Sequence, residues 1–341
     1  MSEANNTQEE TRRPMGTLAC LTTGFDVVAR NPILILIPFV MDLFLWLGPR
    51  LSLAPIFGAM ERFFQDWAVA GASGSDVTEV YALSMQVLHE LSEGYNLFVV
   101  LHLAPLLGVP SLMVNQLTVE RPFGVRPDIT ISSLLFVFPV VLLLAVVGLA
   151  LTAFYLYWLG QRVIVETESK LSGPRSPFHL WGQLLLLTLV LLVLAGGFGL
   201  AVLFFASFMG LFSMPVAGFL MILASSFGMF FAVHLMFTIP GIVQLRRGLF
   251  QAIKESLLLT RVDFLNVTFL LLLVFIISSG LNFVWTLPKF NSWSTVIGLA
   301  GHAFVSTGLT ATLFIFYQER LSFLEILQQM RAAKAQSIVL K

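Results

Sequence analysis

The chain has 341 residues, 57% of them hydrophobic and 11% charged, with a mean hydropathy of +0.89. Soluble domains carry about a quarter charged residues, so this composition points to a bilayer rather than to an aqueous domain. Lys plus Arg equals Asp plus Glu at 19 each, which leaves no net field to attract nucleic acid, and the single Cys20 excludes an intramolecular disulfide or a cysteine-based zinc site.

Residues 1–14 are polar and include Arg12 and Arg13, while 15–28 hold Thr22, Thr23 and Asp26 where a secretory signal would be apolar. Residues 1–31 therefore read as a cytoplasmic arm leading into an interfacial helix, not as a cleaved leader. The apolar run 33–47 is short, but Arg30 and Arg50 at its borders can extend their heads to the interfaces, which makes 32–48 the first transmembrane helix.

Residues 49–128 read as an extracytoplasmic region. Within it, 76–92 carries Val80, Leu83, Val87 and Leu91 at helical spacing, with Ser75 or Asp76 as N-cap. The segment 96–114 is long enough to cross, yet Pro105 and Pro110 each delete a backbone donor, and an unpaired carbonyl in lipid costs several kcal/mol. A Pro-broken segment, re-entrant or lying on the surface, is expected there.

Five further blocks meet the requirement of about 20 apolar residues per crossing: 129–159, 178–207, 214–240, 264–287 and 293–317. Trp46, Tyr155, Tyr157, Trp158, Trp181, Trp285, Trp293 and Tyr317 fall near block ends, where an interfacial aromatic belt would place them. The expected fold is thus an all-α integral membrane protein with about six transmembrane helices plus interfacial amphipathic helices. Domain 129–317 holds five of the spans, and 318–341 is a cytoplasmic helical tail with Arg331, Lys334 and Lys341. With both termini inside, inner segments hold 14 Lys/Arg and outer ones 5, and residues 51–95 carry six acids against one Arg, as an outer segment should. A multi-pass protein of the cell membrane with cytoplasmic termini follows.

The stretch IPGIVQLRRGLFQAIKESLLLTRVDFL, 239–265, joins two of these blocks. Phe250, Ile253 and Leu257 face one way from residue 248 onward, and Arg247, Lys254 and Arg261 recur every seven residues. An amphipathic helix over 248–262, lying in the interface plane with its cations toward phosphates, is expected to fix topology and to bind anionic lipid. A parallel runs from Gly16 to Arg30, then Asn31 and an apolar span, against Gly248 to Arg261, then Asp263 and an apolar span.

The same region resembles the membrane domain that accompanies some glycerophosphodiester phosphodiesterases and recurs in many uncharacterised bacterial multi-span proteins. The resemblance rests on Pro240, Ala252, Ser256, Arg261, Asp263 and Phe264, and RNPILILIPFVMDLFLWLGPR with GVPSLM at 108–113 is similar to such proteins too. Together these stretches cover about a quarter of the chain. There is no room for the soluble barrel that carries phosphodiesterase catalysis, so the resemblance implies a membrane fold and no activity.

No phosphate-binding loop, nucleophile elbow or HExxH pair is present, and neither a catalytic set, a cofactor nor a metal site is expected. Polar groups inside spans are the functional candidates, because a charge at mid-membrane costs at least about 2.5 kcal/mol. They are Asp42, four residues after Pro38, with His302, Asn282 and His234, while Ser306, Thr307, Thr310 and Thr312 hydroxylate the last span. Asp42 reads either as a structural carboxyl bonded to a neighbour or as a coupling group. Gly196, Gly197 and Gly199, and Gly298, Gly301 and Gly308, read as close-packing surfaces. Two functions stay open: a non-enzymatic scaffold or subunit of a membrane complex that binds anionic lipid, with a membrane protein or a second copy as partner, and a transporter or lipid-handling protein with Asp42 and His302 in a polar intramembrane site.

Overall fold

Inside a bilayer every backbone polar group has to bond within its own segment, so long apolar stretches settle as helices. The computed structural model describes residues 14–71, 75–117, 120–169, 171 and 173–339, with side chains except those of 67–80 and 324–339. Among these residues the chain forms α1 (Thr17–Arg30), α2 (Leu36–Leu47), α3 (Ala54–Gly71), α4 (Ser75–Gly94), α5 (Leu134–Glu166), α6 (Pro177–Gly210), α7 (Met214–Leu235), α8 (Thr238–Leu245), α9 (Leu249–Val262), α10 (Phe264–Thr286) and α11 (Thr295–Val339). Five spans, α5, α6, α7 continued by α8, α10 and α11, are long and apolar enough to cross a membrane. A sixth exists only as the pair α1 and 32–47, bent by 92°. The chain is an all-α membrane protein. Arg12, Arg13, Lys341, the side chains of Arg331 and Lys334, and the cap at Ser75 or Asp76 lie outside the described parts.

Several boundaries differ from expectation for physical reasons. The first long span starts at Leu134 rather than 129, because Asp128–Thr130 forms a short strand, β2, parallel to β1 (Arg50–Ser52), with Arg50 opposite Asp128. The span from 214 breaks after Leu235 and resumes as α8 as far as Leu245. The tail is no separate element, since α11 runs unbroken from Thr295 to Val339. Residues 54–71, read only as part of the outer region, form α3, which packs against α4.

α11 is the axis of the bundle: 72% of its apolar window is buried, against 11% or less in the other four spans. Glycines let neighbours close on it. An added side chain at Gly24 in α1 would collide with Thr312 and the Gly308 carbonyl, and one at Gly301 would meet the Trp285 indole. By contrast, α7 has no buried residue, and Gly196, Gly197 and Gly199 in α6 face open space within this chain. The expected packing role of that glycine group is therefore not met, whereas Gly298, Gly301 and Gly308 fulfil theirs.

The parallel between 16–31 and 248–263 extends further than their sequences suggest. Both are 14-residue helices entered from an extended glycine, Gly16 (φ −64°, ψ 155°) and Gly248 (φ −69°, ψ 155°). In α1 the buried positions are Thr17, Cys20, Gly24, Val27 and Val28; in α9 they are Leu249, Ala252, Ser256, Leu259 and Thr260, at identical offsets. Both reach α11 near its 317–320 stretch, for the Tyr317 hydroxyl donates to Glu255 at 3.2 Å while Met15 N donates to Glu319 at 3.0 Å. Arg320 ties the two halves, pairing with Asp263 at 2.5 Å and donating to the Met15 carbonyl at 3.3 Å.

Residues that carried the family resemblance have structural work at this corner. Ser256 donates to the His234 carbonyl at 2.6 Å and accepts from Phe237 N at 3.2 Å, so its hydroxyl repairs the backbone where α7 breaks into α8. An added Cβ at Gly241 would press on Ala252, which explains small residues at both places.

Candidate functional site

Asp42 sits on α2 with no exposed surface. Its Oδ2 accepts from Leu112 N at 2.9 Å, and its Oδ1 accepts from Met113 N at 3.2 Å and from the Ser111 hydroxyl. Ser111 Oγ in turn accepts from Val114 N at 3.2 Å. The short 3-10 turn Met113–Asn115 has no side-chain cap of its own. Asp42 supplies one from another helix, satisfying the donors that a helical N-terminus leaves open. So engaged, the carboxyl holds the loop that follows Pro110.

That loop completes the Pro-broken segment 96–114, which enters and leaves at one end of the bundle. At entry Asn96 Oδ1 accepts from Leu51 N at 3.0 Å, beside β1; after exit the Glu120 carbonyl accepts from the Trp46 indole at 3.3 Å, at the end of α2. Between these points it dips to the middle of α5, where the Leu101 carbonyl lies so close to Gly148 that no side chain would fit there. The segment forms no spanning helix, only two short 3-10 turns, and returns to the end at which it entered. Leu106 stands at φ 65°, a left-handed conformation that is costly for a branched side chain.

Leu106 to Asn115 form one wall of an open cleft of about 400 Å³, whose other walls are α10, α11 and Met236. Such a volume lies within the roughly 300–1,000 Å³ of ligand pockets. α10 and α11 run antiparallel, and their residues grade the cleft from one end to the other. Asn282 and His302 face it near the end where 96–114 enters, Ser278 and Ser306 follow, and Val274, Leu309 and Leu313 close the deeper end together with Thr310, whose hydroxyl is spent on the Ser306 carbonyl at 2.9 Å. Asn282 and Val274 are eight residues apart, about 12 Å along the helix.

Part of the polarity in this cleft is unspent, although Ser111, Ser306 and Thr310 each have a partner. Several hydroxyls on the spans close onto their own helix: Thr188 on the Leu184 carbonyl at 2.7 Å, Ser225 on Met221 at 2.8 Å and Thr312 on Gly308 at 2.8 Å, whereas Thr152 in α5 is buried without a partner. The side chains of Ser278, Ser279 and Asn282 make no hydrogen bond among the described residues, though all three line the cleft. His302 is 8% exposed; its Nε2 lies 3.2 Å from the Ser306 hydroxyl, and its Nδ1 has no hydrogen-bond partner and stands 3.9 Å from Asp42 Oδ2.

Three of the four intramembrane candidates thus converge, with Asp42 behind the loop wall and His302 and Asn282 on the helical walls of α11 and α10. His234 does not join them. Its Nδ1 bonds back to the Phe230 carbonyl at 2.8 Å and its ring stacks on Phe230 with centroids 4.0 Å apart, although Met236, two residues on, reaches the cleft. Among the described residues no group of three or more His, Cys, Asp or Glu could hold a metal ion. Sequence reasoning missed Ser278, Ser279, Ser111 and Asn115; the one signal for the first two was their spacing of three and four residues from Asn282.

The cationic helix also changes on inspection. Arg247 precedes the cap Gly248, so it is not on the helix, and it lies 3.2 Å from Glu255 in an ion pair. Lys254 and Arg261 are exposed and share their side of α9 with Phe250, which is 66% exposed, and Leu257. Ile253, assigned with them to the lipid-facing side, packs against the core instead.

Compared with protein-family models, curated proteins and solved structures, the chain finds no match.

Proposed function

We propose that this chain is a non-enzymatic lipid-handling protein of the cell membrane, which takes an amphiphile into the cleft between α10, α11 and the re-entrant segment. One observation carries the reading: side chains with unused hydrogen-bonding capacity line one end of an intramembrane cleft and apolar ones the other. A polar group in hydrocarbon without a partner costs free energy, so this placement is stable when something polar fills it. The positive-inside distribution supports an orientation with α9 and both termini in the cytoplasm, which turns the polar end of the cleft outward. An outer-leaflet lipid has the same polarity, head outward and chains toward the midplane.

Lys254 and Arg261, exposed beside Phe250 and Leu257, support a second contact with anionic headgroups of the inner leaflet. The alternative role as subunit of a complex draws on α7, which has no buried residue and packs chiefly on α6. A stoichiometric membrane partner or second copy retained in mild detergent would favour it.

The test of the main reading is native mass spectrometry of the extracted protein. A retained amphiphile is expected on the wild type and absent from the Ser278→Ala/Asn282→Leu variant. Equal retention by both proteins, or none by the wild type, overturns the reading.

A further inference from the structure

Resting on that amphiphile reading, the geometry points to an uncharged, hydroxyl-bearing headgroup as the group the cleft receives. No residue lining it is Asp, Glu, Lys or Arg. Phosphate recognition calls for cations in charge-assisted bonds, and burying an anion without them is costly. Here the nearest formal charge is the Asp42 carboxylate, of the wrong sign for an anion, sealed from the cleft by its bonds to Ser111, Leu112 and Met113. A proton on His302 is offset by that carboxylate 3.9 Å away, so the wall is neutral or negative in either state.

Those same bonds also spend the Asp42 lone pairs, which leaves little to attract an ammonium head. What the cleft does offer is a mixed set of neutral donors and acceptors: the Ser278 and Ser279 hydroxyls and the Asn282 and Asn115 carboxamides. Hydroxyl and carboxamide groups both donate and accept, which matches vicinal hydroxyls and ester carbonyls. Val274, Leu309, Leu313 and Met236 continue from this set as an apolar slot for a chain. A glycerol head carrying acyl chains meets both halves; a free polyol meets only the first.

The experiment measures binding to the delipidated full-length protein in detergent, with dioleoylglycerol, dioleoyl phosphatidic acid and free glycerol as probes. Dioleoylglycerol is expected to bind at least about tenfold more tightly than phosphatidic acid, and to lose about tenfold in Asn282→Leu. A second variant, Ser279→Lys at the exposed rim, places a cation at the head position and is expected to raise phosphatidic acid binding about tenfold, so the proposal does not depend on Asn282→Leu folding. Free glycerol that competes with dioleoylglycerol and loses affinity in Asn282→Leu supports the uncharged class and identifies the soluble polyol as its source. Phosphatidic acid binding more tightly than dioleoylglycerol, and weakened by Asn282→Leu, overturns the headgroup class while the amphiphile reading stands. Binding of every probe unaffected by either variant overturns both.

Discussion

Two sides of one wall show how differently intramembrane polar groups are used. Behind it, Asp42 is fully buried and bonded to two backbone amides and a hydroxyl of the re-entrant loop. In front of it, Ser278, Ser279 and Asn282 face open space with no bond among the described residues. The charged residue, the first suspect for chemistry, is spent on architecture; the neutral ones, which a helix tolerates easily, hold free capacity.

The largest effect should come from Asp42→Ala, which strands two buried amides. At about 1–3 kcal/mol for each, a loss of roughly 2–6 kcal/mol is expected in denaturant unfolding in detergent, together with faster proteolysis between 105 and 115. Ser256→Ala tests the same principle at the α7–α8 break, where one hydroxyl serves the His234 carbonyl and the Phe237 amide. A loss of about 1–3 kcal/mol should appear in the same assay. Asn282→Leu should do the opposite, leaving apo stability unchanged or higher by up to about 1 kcal/mol, because it removes an uncompensated amide rather than a bond. The smallest effect belongs to Ser225→Ala. Its hydroxyl bonds only its own helix on an exposed face, and a change within about 0.5 kcal/mol is expected in the unfolding midpoint.

Much of the fold was legible because lipid leaves few alternatives: an apolar run of sufficient length has to be a helix. Pro105 and Pro110 marked 96–114 as broken, and the structure gives it two short 3-10 turns and brings it back to the end at which it entered. Asp42, His302 and Asn282 stood out because polarity in an apolar run is costly. Ser278 and Ser279 did not, since a serine that bonds its own helix and one that bonds nothing have the same sequence signature. His234 misled because its ring bonds back one turn on its own helix, to Phe230, while Met236, just past the end of that helix, reaches the cleft. The seven-residue register of Arg247, Lys254 and Arg261 failed at its first member for a similar reason, since Gly248 starts the helix after it. β1 and β2 were illegible because three-residue strands 78 positions apart have no local pattern; their pairing is fixed by the Arg50–Asp128 ion pair and the ends of the re-entrant segment.

The central contention, that the free polar groups of the cleft are kept for a ligand and not for stability, meets its most direct test in a ligand-dependent thermal shift. Unfolding midpoints of wild type and Asn282→Leu are measured with and without dioleoylglycerol, since a ligand that binds only the folded state raises the midpoint. The account predicts that the wild type rises on addition while Asn282→Leu, at least as stable alone, does not respond. An Asn282→Leu protein that is destabilised like Asp42→Ala and still responds to the lipid would contradict it.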